Sequence, residues 1–373
     1  VDTIEKLKAL SEDSRYDLAC ACGTGKDEHR RRGLDGRWIY PVALPQGGYT
    51  FLLKTLLSNV CSNDCKYCPL RAESNLRRCT LQPEEIARVF MGYHSSKRVS
   101  GLFLSSAVIN NADYTMDKIN AVARILRYRH NFRGYIHLKI IPGASDAAVE
   151  EALSLASAVS LNIETPGREH FSVLSGKKDY DKDILHPLKL MGKLTGKGMN
   201  FSGVKCTTQF IVGASDETDS EIIKYMFGLY KSLNFKRIYF SAYQKGLGHP
   251  DIPGEKKFLA APEKSFMREH RLYQADFLIR KYGFSREDII FDRNRNLSLD
   301  KDPKEVWADS HPDFYPVRIN TADREALLKV PGIGIDTAKR IIDIRRESRI
   351  SCLEYLGVKG RRYEKISRYV VFE

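Results

Sequence analysis

Three cysteines fall within one eight-residue stretch, Cys61, Cys65 and Cys68, and an apolar run over residues 49–57 (YTFLLKTLL) leads straight into it. The run reads as a buried strand, short, apolar and followed by a polar loop. A loop with C-x-x-x-C-x-x-C spacing can place three thiolates on three irons of a four-iron cube, because cluster irons are held by cysteine sulfur. The fourth iron then lacks a protein ligand, and an open metal position is where a substrate or cosubstrate binds. Zinc is the competing reading. It takes four ligands, commonly in two pairs, and no second C-x-x-C or H-x-x-x-H occurs downstream.

The loop, with Tyr67 just before its last cysteine, resembles that of the radical S-adenosylmethionine (SAM) enzymes. That resemblance implies a [4Fe–4S] cluster on Cys61, Cys65 and Cys68, with Tyr67 beside the cofactors. It further implies that SAM chelates the open iron through its amino and carboxylate groups. One electron, delivered by a donor such as flavodoxin or ferredoxin, would cleave the sulfonium and yield a 5′-deoxyadenosyl radical.

After residue 49 strand and helix signals alternate. Strand signals cover residues 49–57, 99–108, 134–141, 159–164, 203–212 and 236–241, with helical periodicity between them over 83–93, 117–129, 146–158 and 220–233. Such alternation predicts an α/β fold with a parallel sheet and right-handed crossovers. Six strands fall short of the eight that close a barrel, so the expected core is a six-stranded parallel partial (β/α)6 TIM-like barrel. The expected division is an N-terminal extension at 1–48, the partial barrel at 49–245, a helical wrap and linker at 246–312, and a small all-α domain at 313–373.

In parallel barrels the chemistry gathers at the C-terminal ends of the strands. That rule selects Ser105 and Ser106, Lys139, Asn162 and Glu164, and Ile211 at the strand ends, with Arg168 in the loop after Glu164. His137 and Lys139 share a strand face by the period of two, as do Asn162 and Glu164. The resemblance assigns these positions to SAM. Ser105, Ser106 and Ala107 stand where radical SAM enzymes often carry Gly-Gly-Glu against the SAM amine, so hydroxyls and carbonyls must act there without a carboxylate. Lys139 would take the SAM carboxylate or a substrate phosphate, with Arg168 the alternative for the carboxylate, and Glu164, sharing its face with Asn162, would take the ribose or the substrate. Ile211 begins a stretch (IVGASD) similar to Ile-x-Gly-x-x-Glu, whose backbone meets adenine. Cys206 is a candidate hydrogen donor to a substrate radical if it faces inward, by a distant likeness to spore photoproduct lyase. Cys20 and Cys22, with Cys79, are candidates for a second cluster.

The C-terminal segment carries a separate signal. A helix over 319–328, the turn Val330-Pro331-Gly332-Ile333-Gly334-Ile335 and a second helix over 336–346 resemble the helix-hairpin-helix of DNA-processing proteins. Two glycines let a turn bring backbone N–H groups close to a phosphate, and the next helix adds its positive end. Gly332, Ile333, Gly334, Lys339 and Arg340 are therefore the expected nucleic-acid contacts, gripping the sugar–phosphate chain without reading bases. A degraded second copy follows around residues 353–361. The formal net charge of +13 fits a polyanionic partner.

Over nearly its whole length the chain resembles an uncharacterised family described as DNA-modification or DNA-repair radical SAM proteins. The likeness rests on YDLAC, LFLSSAVI, DYTM, GYIHLKIIPGAS, REHRLYQADFLIRKYGF and DPKEVWA. Members of that family are associated with uracil-DNA-glycosylase-like proteins, which implies a DNA context. The expected function is modification or repair of a nucleotide in DNA. The alternatives are an RNA (tRNA) substrate, or a substrate that is not nucleic acid, with the hairpin binding a protein. No run approaches the roughly 18 apolar residues of a membrane span, and no signal-peptide core is present, so a cytoplasmic protein is expected.

Overall fold

The computed structural model describes residues 2–14, 38–44, 47–256 and 262–373. Cys20 and Cys22 lie outside them. The chain divides into two compact units: Val1–Glu217 with Gly228–Phe266, and Thr218–Phe227 with Met267–Glu373.

The first unit is built on α1 (Thr3–Asp13), β1 (Ile39–Ala43), β2 (Tyr49–Leu56), α2 (Pro83–Ser95), β3 (Gly101–Ser105), α3 (Ala112–Arg124) and β4 (Tyr135–Lys139). Then come α4 (Asp146–Leu155), β5 (Ala158–Ser160), α5 (Arg168–Ser172), α6 (His186–Leu194), β6 (Lys205–Val212), the end of α7 (Asp219–Leu233), β7 (Arg237–Ala242) and α8 (Pro253–Lys256). The strands form one sheet in chain order, β1 to β7. β2 to β7 run parallel, and β1 lies antiparallel against β2. The sheet therefore holds seven strands where six were expected. The added strand lies in the segment read as N-terminal extension. It carries Pro41, which cannot donate to a ladder and is tolerated because β1 is an edge.

Strand order equal to chain order has a consequence. Each right-handed crossover puts its helix on the same face, so the other face is free to line a site. A doubly wound sheet would instead reverse its order at a switch point. Along β3 and β4, Leu102, Leu104, Ile136 and Leu138 are fully buried and by the period of two belong to one face. The intervening residues build layers on the other. Lys54, Phe103 and His137 are register partners, and the Lys54 ammonium lies 5.2 Å from both the Tyr40 and Phe103 ring centres. His137 is bonded through Nε2 to Ser160 Oγ at 2.9 Å. One step toward the strand ends, Leu56 pairs with Ser105, and Lys139 with Ser160.

The second unit contains the start of α7 and most of α9 (Pro262–Lys281), then α10 (Pro303–Ser310), β8 (Val317–Arg318), α11 (Arg324–Lys329), α12 (Ile335–Ile344), α13 (Arg361–Ser367) and β9 (Val370–Val371). It has its own core, including Leu327, Leu328, Ile333, Ile341, Leu353 and Ile366. Two sequence expectations are corrected. The C-terminal segment is not all-α, because β8 and β9 pair in parallel. The first hairpin helix begins at Arg324 rather than 319, because Asp323 caps it by accepting the Ala326 N–H at 2.7 Å. Among the described residues no helix is long and apolar enough to cross a membrane.

Lys304 is the unusual core residue of this unit. It is 7% exposed, donates to the Ile333 carbonyl at 2.6 Å, and sits 4.7 Å from the Tyr282 ring centre. Burial pushes its pKa down to about 7, whereas a solvated lysine titrates near 10.4. Between those values the unfolded chain binds a proton that the folded chain lacks, so stability must rise with pH across that window. Urea unfolding followed by Trp307 fluorescence in a Trp38→Phe background should show a gain on the order of 1–2 kcal/mol from pH 7 to 9. Lys304→Met should lose that gain. Equal pH slopes in the two proteins would refute the assignment.

Candidate functional site

The cysteine loop follows β2, and its backbone is tied down on several sides. Ser62 N–H donates to Val108 O at 2.9 Å, Lys66 N–H to Leu174 O at 2.8 Å, and His249 N–H to Lys66 O at 2.6 Å. Asp64 is the main side-chain anchor: it accepts from Ser175 Oγ at 2.6 Å and from the Gly176 and Lys177 amides at 2.8 and 3.2 Å. Burial opposes its ionisation, but those three donors outweigh it and hold the carboxyl below its usual value. Lys177 Nζ closes the same contact on Ser62 O at 2.7 Å. Asp64→Ala should therefore loosen the loop without removing a thiol. Iron release to a chelator should quicken roughly 10- to 100-fold, the usual consequence of losing an outer partner. An unchanged release rate would remove Asp64 from the supporting shell.

One pocket brings together Cys61, Cys65 and Cys68 with Tyr67, Ser105, Ser106, Lys139, Asn162 and Glu164. Lys139 Nζ donates to Asn162 Oδ1 at 2.7 Å, and Tyr67 Oη to Glu164 Oε1 at 2.8 Å. Glu164 is 7% exposed and has φ of +64°, in the left-handed region that non-glycine residues seldom adopt. A strained, buried carboxylate in the segment after β5, bridged to Phe210 of β6, is the kind of outlier that marks a working site. Its ladder bonds hold it there: Glu164 N–H donates to Gln209 O at 3.0 Å, and Ile211 N–H to Glu164 O at 2.8 Å.

Lys178 was not legible in the sequence. It follows another lysine in a loop with no periodicity, yet it lines the pocket with Cys61, Cys65 and Glu164. Burial acts against its charge, and Cys65, Glu164 and Cys61 outweigh burial when ionised, so its ammonium is then held above its ordinary value. Burial raises the thiols: Cys65 is shifted up, and Cys68 is pushed up to about 12. Burial likewise raises Glu164 and Tyr67. Cys65 and Cys68, so raised, keep their protons unless a cation replaces them.

The donor set suits a cluster. Leu70 N–H points at Cys68 Sγ at 3.4 Å, and the Lys178 ammonium lines the same pocket as Cys65, the amide bond and positive charge that stabilise clustered thiolates. Among the described residues no three His, Cys, Asp or Glu side chains converge on one point for a single ion. A cube makes no such demand, since each cysteine takes its own iron.

Other selected residues lie elsewhere. Cys206 is 1% exposed, 3.3 Å from Thr195 Oγ1 and 3.8 Å from Met191 O of α6. It faces the helix layer and is absent from the pocket lining, so the hydrogen-donor role is withdrawn. The Arg168 side chain is 73% exposed and pairs with Asp181. It too is outside the lining, which leaves Lys139 and Lys178 as the pocket's cations among the described residues. Ile211 packs with Tyr67 against Leu174, Ala214, Tyr243 and Ile252, one shell behind the pocket. In the turn after β6, Glu217 rather than Asp216 accepts the Gly213 N–H, at 2.6 Å. Cys79 is half-buried, its Sγ 3.9 Å from Lys6 O.

In the second unit the turn between α11 and α12 is held from below. Gly332 has φ of +89°, and a Cβ there would lie 2.7 Å from Ile366 Cγ1. Ile333 is corrected as a contact, because its N–H donates to Val330 O at 3.1 Å, its carbonyl takes Lys304, and its side chain is buried. Arg340 is exposed, with one guanidinium nitrogen donating to Leu356 O at 2.9 Å. Gly334 N-caps α12, and Lys339 is exposed.

Residues 55–227 match the radical SAM superfamily. No curated protein matches the chain. Solved structures that resemble it include methylornithine synthase PylB, at 16% identity and TM-score 0.45 over 60% of this chain and 62% of that one. The [FeFe]-hydrogenase maturase HydG resembles it at 14% identity and TM-score 0.47 over 85% and 80%. Coproporphyrinogen III oxidase HemN from Escherichia coli does so at 13% and 0.37 over 65% and 59%. The chain thus spans about three fifths of the methylornithine synthase.

Proposed function

Residues 55–227 of this chain are a radical SAM superfamily domain, whose cofactors are a [4Fe–4S] cluster and SAM, and we propose that it modifies or repairs a nucleotide in DNA. The observation that carries the radical chemistry is the convergence of Cys61, Cys65 and Cys68 with Lys139, Asn162, Glu164 and Lys178 in one pocket at the strand ends. A cluster and SAM bound there would supply radical abstraction of hydrogen from an unactivated carbon.

The chain's own residues hold and shield that chemistry. Cys61, Cys65 and Cys68 hold the metal, and Lys178 offsets the negative charge beside Cys65. Lys139, kept on Asn162, offers an ammonium to a carboxylate. Glu164, steadied by Tyr67, accepts hydroxyl donors of a ribose. Ser105 and Ser106 offer oxygen atoms to an amine. The buried walls at Leu56, Val108, Ile140 and Leu161 exclude water from the reacting atoms. A DNA substrate is supported by the net charge of +13 and by a glycine turn leading into α12 with Lys339 beside it. Bases are stacked in duplex DNA, so the target nucleotide is flipped out or single-stranded. The electron comes from a flavodoxin- or ferredoxin-like donor in the cytoplasm.

The test is anaerobic reconstitution with iron, sulfide, SAM and a reductant, with 5′-deoxyadenosine measured alone and with deuterated DNA or tRNA. Deuterium passing from DNA into 5′-deoxyadenosine supports the reading. Transfer from tRNA alone establishes the RNA substrate instead. Turnover of SAM without transfer from either points to a protein-binding hairpin and a different substrate.

A further inference from the structure

The second unit carries a basic pocket that the reading above does not use. It measures about 400 Å³ and is lined by Lys224, Arg286 and Arg295 over Ile289 and Phe291. We propose that this pocket is a subsite for a single-stranded stretch of nucleic acid, its cations on phosphates and one base against Phe291; this rests on the nucleic-acid function proposed above.

The geometry favours that occupant. Lys224, Arg286 and Arg295 are all exposed, and Ile289 is 3% exposed, so charged rims surround an apolar floor. Arg295 is held in place: its Nε donates to Ser220 Oγ at 3.2 Å, and its carbonyl accepts the Ser220 N–H at 3.1 Å. The turn that carries it is closed by Asp292, whose N–H donates to Asn296 O and whose carboxylate accepts the Asn294 and Asn296 amides, at 2.8 to 2.9 Å. Only the Nε edge of the guanidinium is thereby used. Arg286 pairs with Glu287 at 3.3 Å, but both side chains are exposed, and such pairs are weak enough for a phosphate to displace.

The same wall is fastened to the base of the hairpin. Asp288 accepts from Trp307 Nε1 at 3.0 Å and meets Lys329 Nζ, at the end of α11, at 3.5 Å. Lys329 in turn lies 4.3 Å from the Trp307 ring centre. A strand gripped at the turn after α11 and one entering this pocket therefore meet parts of one packed unit. An aromatic wall has no partner in duplex DNA, whose base faces are covered. Cations beside an aromatic ring are how sequence-tolerant single-strand sites are built.

The experiment is fluorescence anisotropy of the full-length holoprotein with a labelled single-stranded oligonucleotide across a salt series. In Lys224→Ala/Arg286→Ala/Arg295→Ala the slope of log Kd against log salt should fall by about 2, at roughly 0.7 per lost phosphate contact. Phe291→Ala should weaken binding roughly 5- to 100-fold with the slope unchanged. Arg286→Lys/Arg295→Lys should restore the slope. Because the three cations are exposed, thermal unfolding should not move and serves as the fold control. If wild type binds and the triple variant keeps its slope and affinity, the pocket assignment alone falls. If wild type binds no nucleic acid, the parent reading falls with it. A duplex that competes as well as the single strand, with Phe291→Ala silent, overturns the base contact.

Discussion

Replacing Cys65 with serine is expected to strip the protein of its iron and end 5′-deoxyadenosine formation. Cys65 is 7% exposed and faces the pocket beside Lys178. A serine hydroxyl is a hard and barely acidic ligand, and cluster irons are held by soft thiolate sulfur. Removing a direct ligand must exceed the roughly 10- to 100-fold effect of an outer partner. Anaerobically reconstituted Cys65→Ser should therefore lose its visible absorbance and acid-labile sulfide, and its 5′-deoxyadenosine rate should drop below detection. Cys79→Ser and Cys206→Ala are the controls, since neither residue lines the pocket. If Cys65→Ser kept a full cluster while Cys79→Ser lost it, the ligand set assigned here would be wrong.

Asp219→Ala is expected to cause the largest loss of stability in the second unit. The Asp219 side chain is 1% exposed; Oδ1 accepts from Arg268 Nε at 2.7 Å and Oδ2 from the Leu297 N–H at 2.8 Å. Its own N–H donates to Asn296 Oδ1 at 3.1 Å, so one residue ties α7, α9 and the segment near Leu297 together. Deleting the carboxylate leaves a mostly buried guanidinium and a buried amide short of an acceptor. Breaking a buried pair from one side typically lowers stability by about 3–5 kcal/mol. Urea unfolding followed by Trp307 fluorescence in the Trp38→Phe background should show that shift. Lys301 and Asp309 also pair at 2.7 Å, but their side chains are 61% and 44% exposed. Lys301→Ala should accordingly change stability by less than about 1 kcal/mol. Equal effects from the two substitutions would show that burial is not what distinguishes the pairs.

Much of the candidate site could be read from short-range rules. Spacing alone put Cys61, Cys65 and Cys68 on one loop. The period of two put His137 and Lys139 on one face, and the strand-end rule selected Ser105, Ser106, Asn162 and Glu164, all of which line the pocket. Where selection rested on position without orientation, it erred. Cys206 lies on a strand as expected, but a one-residue choice of face sends it to the helix layer. Arg168 is close in sequence to Glu164, yet its side chain reaches outward to Asp181. β1 was missed because its five residues include Pro41 and lack the length of a clear strand signal.

Local pattern was enough to establish a thiol loop at the end of a buried strand and a parallel sheet wound in one direction, because side-chain periodicity and loop spacing depend only on neighbours along the chain. The arrival of Lys178 beside Cys65, the left-handed backbone of Glu164 and the inward turn of Ile333 were settled by packing between distant segments. Those contacts arise only when the whole chain has folded, since each depends on which face a separate element presents and on what remains to satisfy a buried charge.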